Sequence, residues 1–268
     1  MRRLPWLIAG VVAGAAASVQ AALSLPSAAG APAGARLSDW LLRRASAADA
    51  YPLALQWQRR SEVAPQSRQR EALIAALRAA SRADRVRAAD AERLIGALES
   101  LPVTGRVALP LQDPRLLQAH PEFDPLLGAG DRILLPPRPS TVAVWRGDAP
   151  PCVQRFEALW PASRYLAACG AAADRAWIVE PDGRVVEVGV APWNAAAQDL
   201  PAPGARIWAP GPGWPRTLSE RFAAFLATQP PVDAPLPARA AAPPAGPPGR
   251  VVDLPRDLVT GPGDWGVT

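Results

Sequence analysis

Proline and glycine set the first limit on this chain. Its 268 residues include 33 Pro and 20 Gly, well above ordinary usage. Pro breaks helix interiors and central strands, and Gly weakens both, so short elements joined by many turns are expected. The chain is nonetheless 49% hydrophobic, which supports a real core, and its length fits one large or two small domains.

The basic residues narrow the chemistry. All 29 are Arg, so a phosphate-loop Lys, a Schiff base and a Ser-Lys dyad are excluded. One His and two Cys exclude a His- or Cys-rich zinc site. No metal and no cofactor is expected.

Met1-Arg2-Arg3 is followed by a run of apolar and small residues from Leu4 to Val19 and by Gln20-Ala21-Ala22. The run is short of the ~20 residues that span a bilayer as a helix. It reads as a cleavable secretory signal, residues 1–21, with an N-terminal membrane anchor as the alternative. The expected location is the periplasm, with no transmembrane span after cleavage. Removing Arg2 and Arg3 lowers the formal charge from +5 to +3, and export itself argues against a nucleic-acid partner. Cys152 and Cys169 suit an oxidising compartment. Between them Phe156–Ala168 reads as a helix, so a disulfide would tie the preceding strand to its C-terminal end; two buried free thiols are the alternative.

Ser38 is expected to open a short helix, Asp39–Arg44, with Trp40 and Leu41 available for a core. The clearest pattern follows. Leu73, Ile74 and Leu77 in Gln66–Ala80, and Leu94, Ile95 and Leu98 in Ala88–Leu101, repeat with helical spacing and predict a helical hairpin. After Pro102 the alternation predicts a strand over Val103–Leu109. Asp113-Pro114, His120-Pro121 and Asp124-Pro125 read as loop, and Leu126–Pro136 as a turn, then a strand, then a stop. Pro136–Pro139 is a natural boundary. Beyond it, strands are expected at Thr141–Arg146, Val153–Phe156, Trp177–Glu180, Arg184–Val190 and Arg206–Ala209, with a helix at Leu159–Ala168. Pro181-Asp182-Gly183 is a strong hairpin signal. Leu218–Thr228 reads as a helix with Leu218, Phe222, Phe225 and Leu226 on one face. Residues 230–249 contain 8 Pro, and 230–268 read as a disordered tail.

Several segments share an order with a known family. These are Val103-Thr104-Gly105-Arg106 after the hairpin, Pro139-Ser140-Thr141-Val142, and Ala176-Trp177-Ile178-Val179 with Pro181-Asp182-Gly183-Arg184. Val190-Ala191-Pro192-Trp193-Asn194 and Pro203-Gly204 complete the series. Over roughly residues 23–228 the chain resembles the GfcC-like capsule-biosynthesis family, periplasmic proteins encoded with polysaccharide export machinery. The resemblance implies an α+β fold of two β-grasp-like domains, 22–138 and 139–212. A helical hairpin, about 64–101, would be inserted in the first, and a C-terminal amphipathic helix would occupy 213–229. It also implies similarity to the periplasmic domains of Wza-type outer-membrane exporters. Arg106 would be a cleft residue with a functional role.

The residues themselves offer three candidate ligand contacts. Arg106 alternates with apolar neighbours in its strand, and a guanidinium there can clamp a carboxylate, a phosphate or sugar hydroxyls; pairing with Asp131 or Glu122 is the structural alternative. Trp193 and Trp214 sit in loops and are expected to be exposed, unlike Trp145, Trp160, Trp177 and Trp208. Asp131 reads as a turn residue, His120 has no nucleophile motif around it, and Glu180 and Glu187 look like a surface pair. Arg59–Arg93 holds nine Arg against five acids, a basic face suited to an acidic polysaccharide.

The function expected is a non-enzymatic periplasmic accessory protein of capsule or exopolysaccharide export. Its partners would be an acidic polysaccharide, a Wza-type exporter, or both. A polysaccharide-modifying enzyme using Arg106 with a carboxylate such as Asp131, and a structural envelope adaptor, are the alternatives.

Overall fold

The computed structural model describes residues 29–30, 33–44, 50–195 and 200–232. The expected signal segment 1–21 and most of the tail, 233–268, lie outside them.

The chain begins with β1 (Ala29–Gly30) and α1 (Leu37–Arg44), then β2 (Gln56–Gln58). The long hairpin follows as α2 (Val63–Ala83) and α3 (Ala88–Ser100). Its single proline is Pro65 in the first turn of α2, where no intrahelical N–H is needed, and the next is Pro102 beyond its end. Next come β3 (Arg106–Val107), α4 (Pro114–Ala119) and β4 (Arg132–Leu134). These four strands form one sheet in the order β1-β4-β2-β3, antiparallel throughout. One face carries Trp57 and Ile133 into a core with Leu37, Trp40 and Leu41 of α1 and Leu117 of α4.

Three local expectations change here. Ser38 lies inside α1; the Asp124 carboxylate, 86 residues away, accepts from its N–H at 3.0 Å and its hydroxyl at 2.8 Å. The cap of this helix is therefore tertiary. The stretch expected to be loop around Asp113-Pro114 contains α4, because Asp113 accepts from the N–H groups of Arg115 and Leu116 and Pro114 fits the first turn. The strand expected over Val103–Leu109 shrinks to Arg106–Val107.

The second sheet is built from β5 (Thr141–Arg146), β6 (Cys152–Arg155), α5 (Ala162–Ala168), β7 (Arg175–Val179), β8 (Val185–Gly189) and β9 (Arg206–Ala209). Helix α6 (Arg216–Ala227) follows. The order is β6-β5-β9-β7-β8, with β5 and β9 parallel and every other pair antiparallel. Two hairpins, β5–β6 and β7–β8, joined through a central β9 that runs parallel to β5, with one helix crossing over, make the β-grasp arrangement. The first sheet is α+β as well but has no parallel pair among its described strands.

Alternation along the second sheet buries both faces. Val142, Val144, Ala176, Ile178 and Ile207 face Tyr165 and Leu166 of α5. Ala143, Trp145, Trp177, Val179 and Trp208 face the other way, toward Phe222, Phe225 and Leu226 of α6 and Leu73, Leu77, Leu94 and Leu98 of the hairpin. The hairpin interrupts the first sheet in sequence but packs on the second in space. A disulfide joins Cys152 on β6 to Cys169 at the end of α5, spanning a helix shorter than the Phe156–Ala168 expected.

Residues 230–232, the start of the expected tail, lie on this body. Val232 N–H donates to Gly204 O at 3.0 Å, and Thr141 Oγ1 donates to Val232 O at 3.2 Å.

Candidate functional site

Arg106 sits where three elements meet. It is 3% exposed, and its guanidinium donates to main-chain carbonyls rather than to an acid. Nη1 reaches Ala227 O at 3.1 Å and Gln229 O at 2.5 Å, and Nη2 donates to Pro181 O. These are the last turn of α6 and the β7–β8 turn, so one side chain on β3 fastens both. A cation on the carbonyl end of a helix is favoured by the helix dipole. Burial pushes the guanidinium down to about 10, and that of the buried Arg206 to about 9; both remain charged at neutral pH. Arg206 donates to Pro230 O. The expected free clamp on an exposed face is thus a buried fastening, and neither Asp131 nor Glu122 is its partner. Asp131 is buried and accepts from Trp57 Nε1 and Gly128 N–H, both at 2.9 Å. Glu122 lies 3.3 Å from Nδ1 of the exposed His120.

The motif residues around Arg106 serve the same junction. Gly105 has φ +70°, and a Cβ there would lie 2.2 Å from Arg59 O; its N–H donates to Gln66 Oε1 at 2.5 Å. Gln66 Nε2 in turn donates to Thr228 Oγ1 at 2.6 Å. Gly183, φ +91°, brings the β7–β8 turn against Ala108, where a Cβ would meet another Cβ at 2.9 Å. Leu109 N–H closes the contact on Asp182 O at 3.3 Å. Asn194 folds its own turn, accepting from Ala191 N–H and donating to Asp174 O, each at 2.9 Å. The series of short motifs is therefore largely a record of close backbone approach.

Glu180 and Glu187 are not a surface pair. Glu180 is buried, accepts from Ala202 N–H at 3.1 Å, and is pushed above the ordinary glutamate range by desolvation. Glu187 is half-buried and bridges two arginines, at 3.2 Å from Arg175 and 2.5 Å from Arg216.

Those arginines mark the most developed groove among the described residues. It encloses about 480 Å³ at the end of the second sheet where β5 and β9 finish and β7 begins, lined by Asp174, Arg175, Trp177, Gly211, Trp214 and Arg216 among others. Volumes of this order suit small ligands or one unit of a polymer. Trp177 is in the core, and Trp214 is half-buried, with its pyrrole edge beside Gly147 and Gly211. The loops are held from the hairpin: Arg87 donates to Gly213 O and Arg93 to Gly147 O. Arg216 also pairs with Glu220 at 3.0 Å. The groove thus combines an indole with guanidinium and carboxylate groups whose charges nearly balance. Such planar groups donate or accept in pairs, as adjacent sugar hydroxyls require, while an indole face covers the C–H face of a sugar ring.

Trp193 is 75% exposed in the turn 191–194. Its neighbour Asn194 lines a smaller depression with Arg175, Glu187 and Gly189, so Arg175 lines both the groove and the depression beside the Trp193 turn. Sequence reasoning missed Arg175, Arg216 and Asp174. The available signal was alternation, which puts Arg175 and Trp177 on one face of β7; nothing local points to Arg216.

Residues 156–228 match the family model described as capsule biosynthesis GfcC C-terminal. The match runs from the end of β6 through α6, contains every residue of the groove, and supports a GfcC-like protein of capsule biosynthesis. No curated protein matches the chain.

Proposed function

We propose that this GfcC-like chain is a periplasmic accessory protein of capsule or exopolysaccharide biosynthesis and export, and that it holds the sugar polymer rather than altering it. The observation carrying this reading is the Trp214 groove. An indole, two guanidiniums and the Asp174 carboxylate line an open cleft within the segment that matches the capsule family. The lining contains no Ser, Cys or His and so offers no nucleophile-and-base pair of the kind acyl transfer needs. Trp193, exposed in the turn that ends at Asn194, extends the contact along a longer chain.

Titration of tryptophan fluorescence with purified polymers, one neutral glucan and one polyuronate among them, tests the reading. A saturable change is expected with at least one polymer, with affinity falling tenfold or more in Trp214→Ala and in Arg216→Ala. The absence of saturable change across the panel, or full affinity in Trp214→Ala, overturns it.

A further inference from the structure

The first sheet carries a second pocket with a different electrostatic balance. On the face opposite Trp57 and Ile133, the register sets Arg132 of β4, Gln58 of β2 and Arg106 of β3 in one cross-strand row. Arg106 is sealed at the junction, whereas Arg132 is exposed and Gln58 half-buried. Arg132 and Gln58 open into a pocket of about 330 Å³ that is completed by Arg60, Val63, Val103, Thr104 and Gly130.

No acid lines this pocket. Among the described residues neither Arg60 nor Arg132 has an ion-pair or side-chain hydrogen-bond partner, unlike Arg78, Arg87, Arg93, Arg146, Arg175 and Arg216. Asp131, the nearest acid in sequence, turns its carboxylate to Trp57 and Gly128. The Arg60 stem lies across Gly130, with Cδ 3.3 Å and Nη1 3.9 Å from where a Cβ would stand. One buried polar atom here lacks a partner, Thr104 Oγ1. Buried polar groups are nearly always paired, so an unpartnered hydroxyl beside two unpaired guanidiniums points to a missing acceptor.

We propose that this pocket binds an oxyanion, with Arg60 and Arg132 as the charged donors and Thr104 and Gln58 as neutral ones. The group is a carboxylate or phosphate of the kind acidic sugar polymers carry. The site is separate from the Trp214 groove, and it would give the chain a preference for charged polymers that the nearly balanced groove does not.

Calorimetric titration of the exported chain at low salt, with inorganic phosphate and with tri-galacturonate as probes, tests this. One-site binding of at least one probe is expected, and the better probe identifies the oxyanion. Affinity should fall tenfold or more in Arg60→Gln/Arg132→Gln and severalfold in Thr104→Val; for inorganic phosphate, which offers the groove no sugar ring, it should stay unchanged in Trp214→Ala. The bound probe should also protect Arg60 and Arg132 from phenylglyoxal. Undiminished affinity in the double variant, no protection of either arginine, or no binding of either probe at millimolar concentration overturns the proposal. Loss of phosphate binding in Trp214→Ala alone would also overturn it, by assigning the anion to the groove. Because the Trp214→Ala arm reads the groove separately, failure here leaves the reading of the groove standing.

Discussion

Arg106 Nη1 and the main-chain oxygen of Gln229 are 2.5 Å apart across 123 residues of sequence. The same guanidinium holds Ala227 and Pro181, so β3, α6 and the β7–β8 turn close on one cation. Arg106→Met keeps much of the volume but leaves these carbonyls without donors. It should lower stability by about 3 kcal/mol, the scale of losing buried hydrogen bonds to a charged group. Arg106→Lys, which restores charge but not the fork, should fall between. Urea denaturation followed by circular dichroism measures both; an unchanged midpoint in Arg106→Met would show that the junction does not depend on the side chain.

Gly105 and Gly34 share a positive φ but differ in surroundings. A Cβ at Gly105 would strike Arg59 O at 2.2 Å, while one at Gly34 meets nothing within 4 Å. Gly34→Ala should cost about 1 kcal/mol, the intrinsic penalty of the left-handed region. Gly105→Ala should cost about 3 kcal/mol or more, because backbone must move. Equal melting temperatures for the two variants would contradict the close approach.

The Cys152–Cys169 bridge has a sequence separation of 17. Closing a loop of that size contributes about 3 kcal/mol in the chain-entropy view. Cys152→Ser/Cys169→Ser should lose most of that in chemical denaturation, and reductant should shift only the wild-type chain. A reductant effect of the same size on the double variant would place the sensitivity elsewhere.

Glu180 gives a pH signature. Burial raises its folded value above the ordinary 4.5, so its contribution to stability is full below the unfolded value and is lost as pH rises through the folded one. Glu180→Gln removes that titration while keeping an oxygen for Ala202 N–H. The stability of the variant relative to wild type should therefore rise between pH 4 and pH 7. A difference that is flat with pH would mean that the carboxyl is solvated in the native state.

Trp193 is exposed where Trp208 is buried. Trp193→Ala should change stability by under about 0.5 kcal/mol and reduce the fraction of fluorescence quenched by acrylamide. Trp208→Ala should cost about 3–5 kcal/mol. A large stability loss in Trp193→Ala would show that the turn 191–194 packs more tightly than its exposure indicates.

Features with a local period or a short span were legible in the amino-acid order alone. Leu73, Ile74, Leu77 and Leu94, Ile95, Leu98 repeat with the helical turn, and they form the hairpin's buried stripe. Alternation in Trp177–Val179 and Val185–Gly189 gave strands, Pro181-Asp182-Gly183 gave the turn between them, and one helix between two cysteines brought the sulfurs within reach. Where these surfaces go was set by packing between distant segments. The hairpin stripe covers the second sheet although the chain enters it from the first, and Asp124 caps α1 from 86 residues away. Arg106 finds carbonyls 75, 121 and 123 residues distant, while Arg175, Trp214 and Arg216 meet around one groove. The physical reason is that a period fixes which side of an element is apolar, but not which other apolar side it meets. The partners of a buried cation follow from that later choice, because a desolvated guanidinium must take whatever acceptors packing leaves beside it.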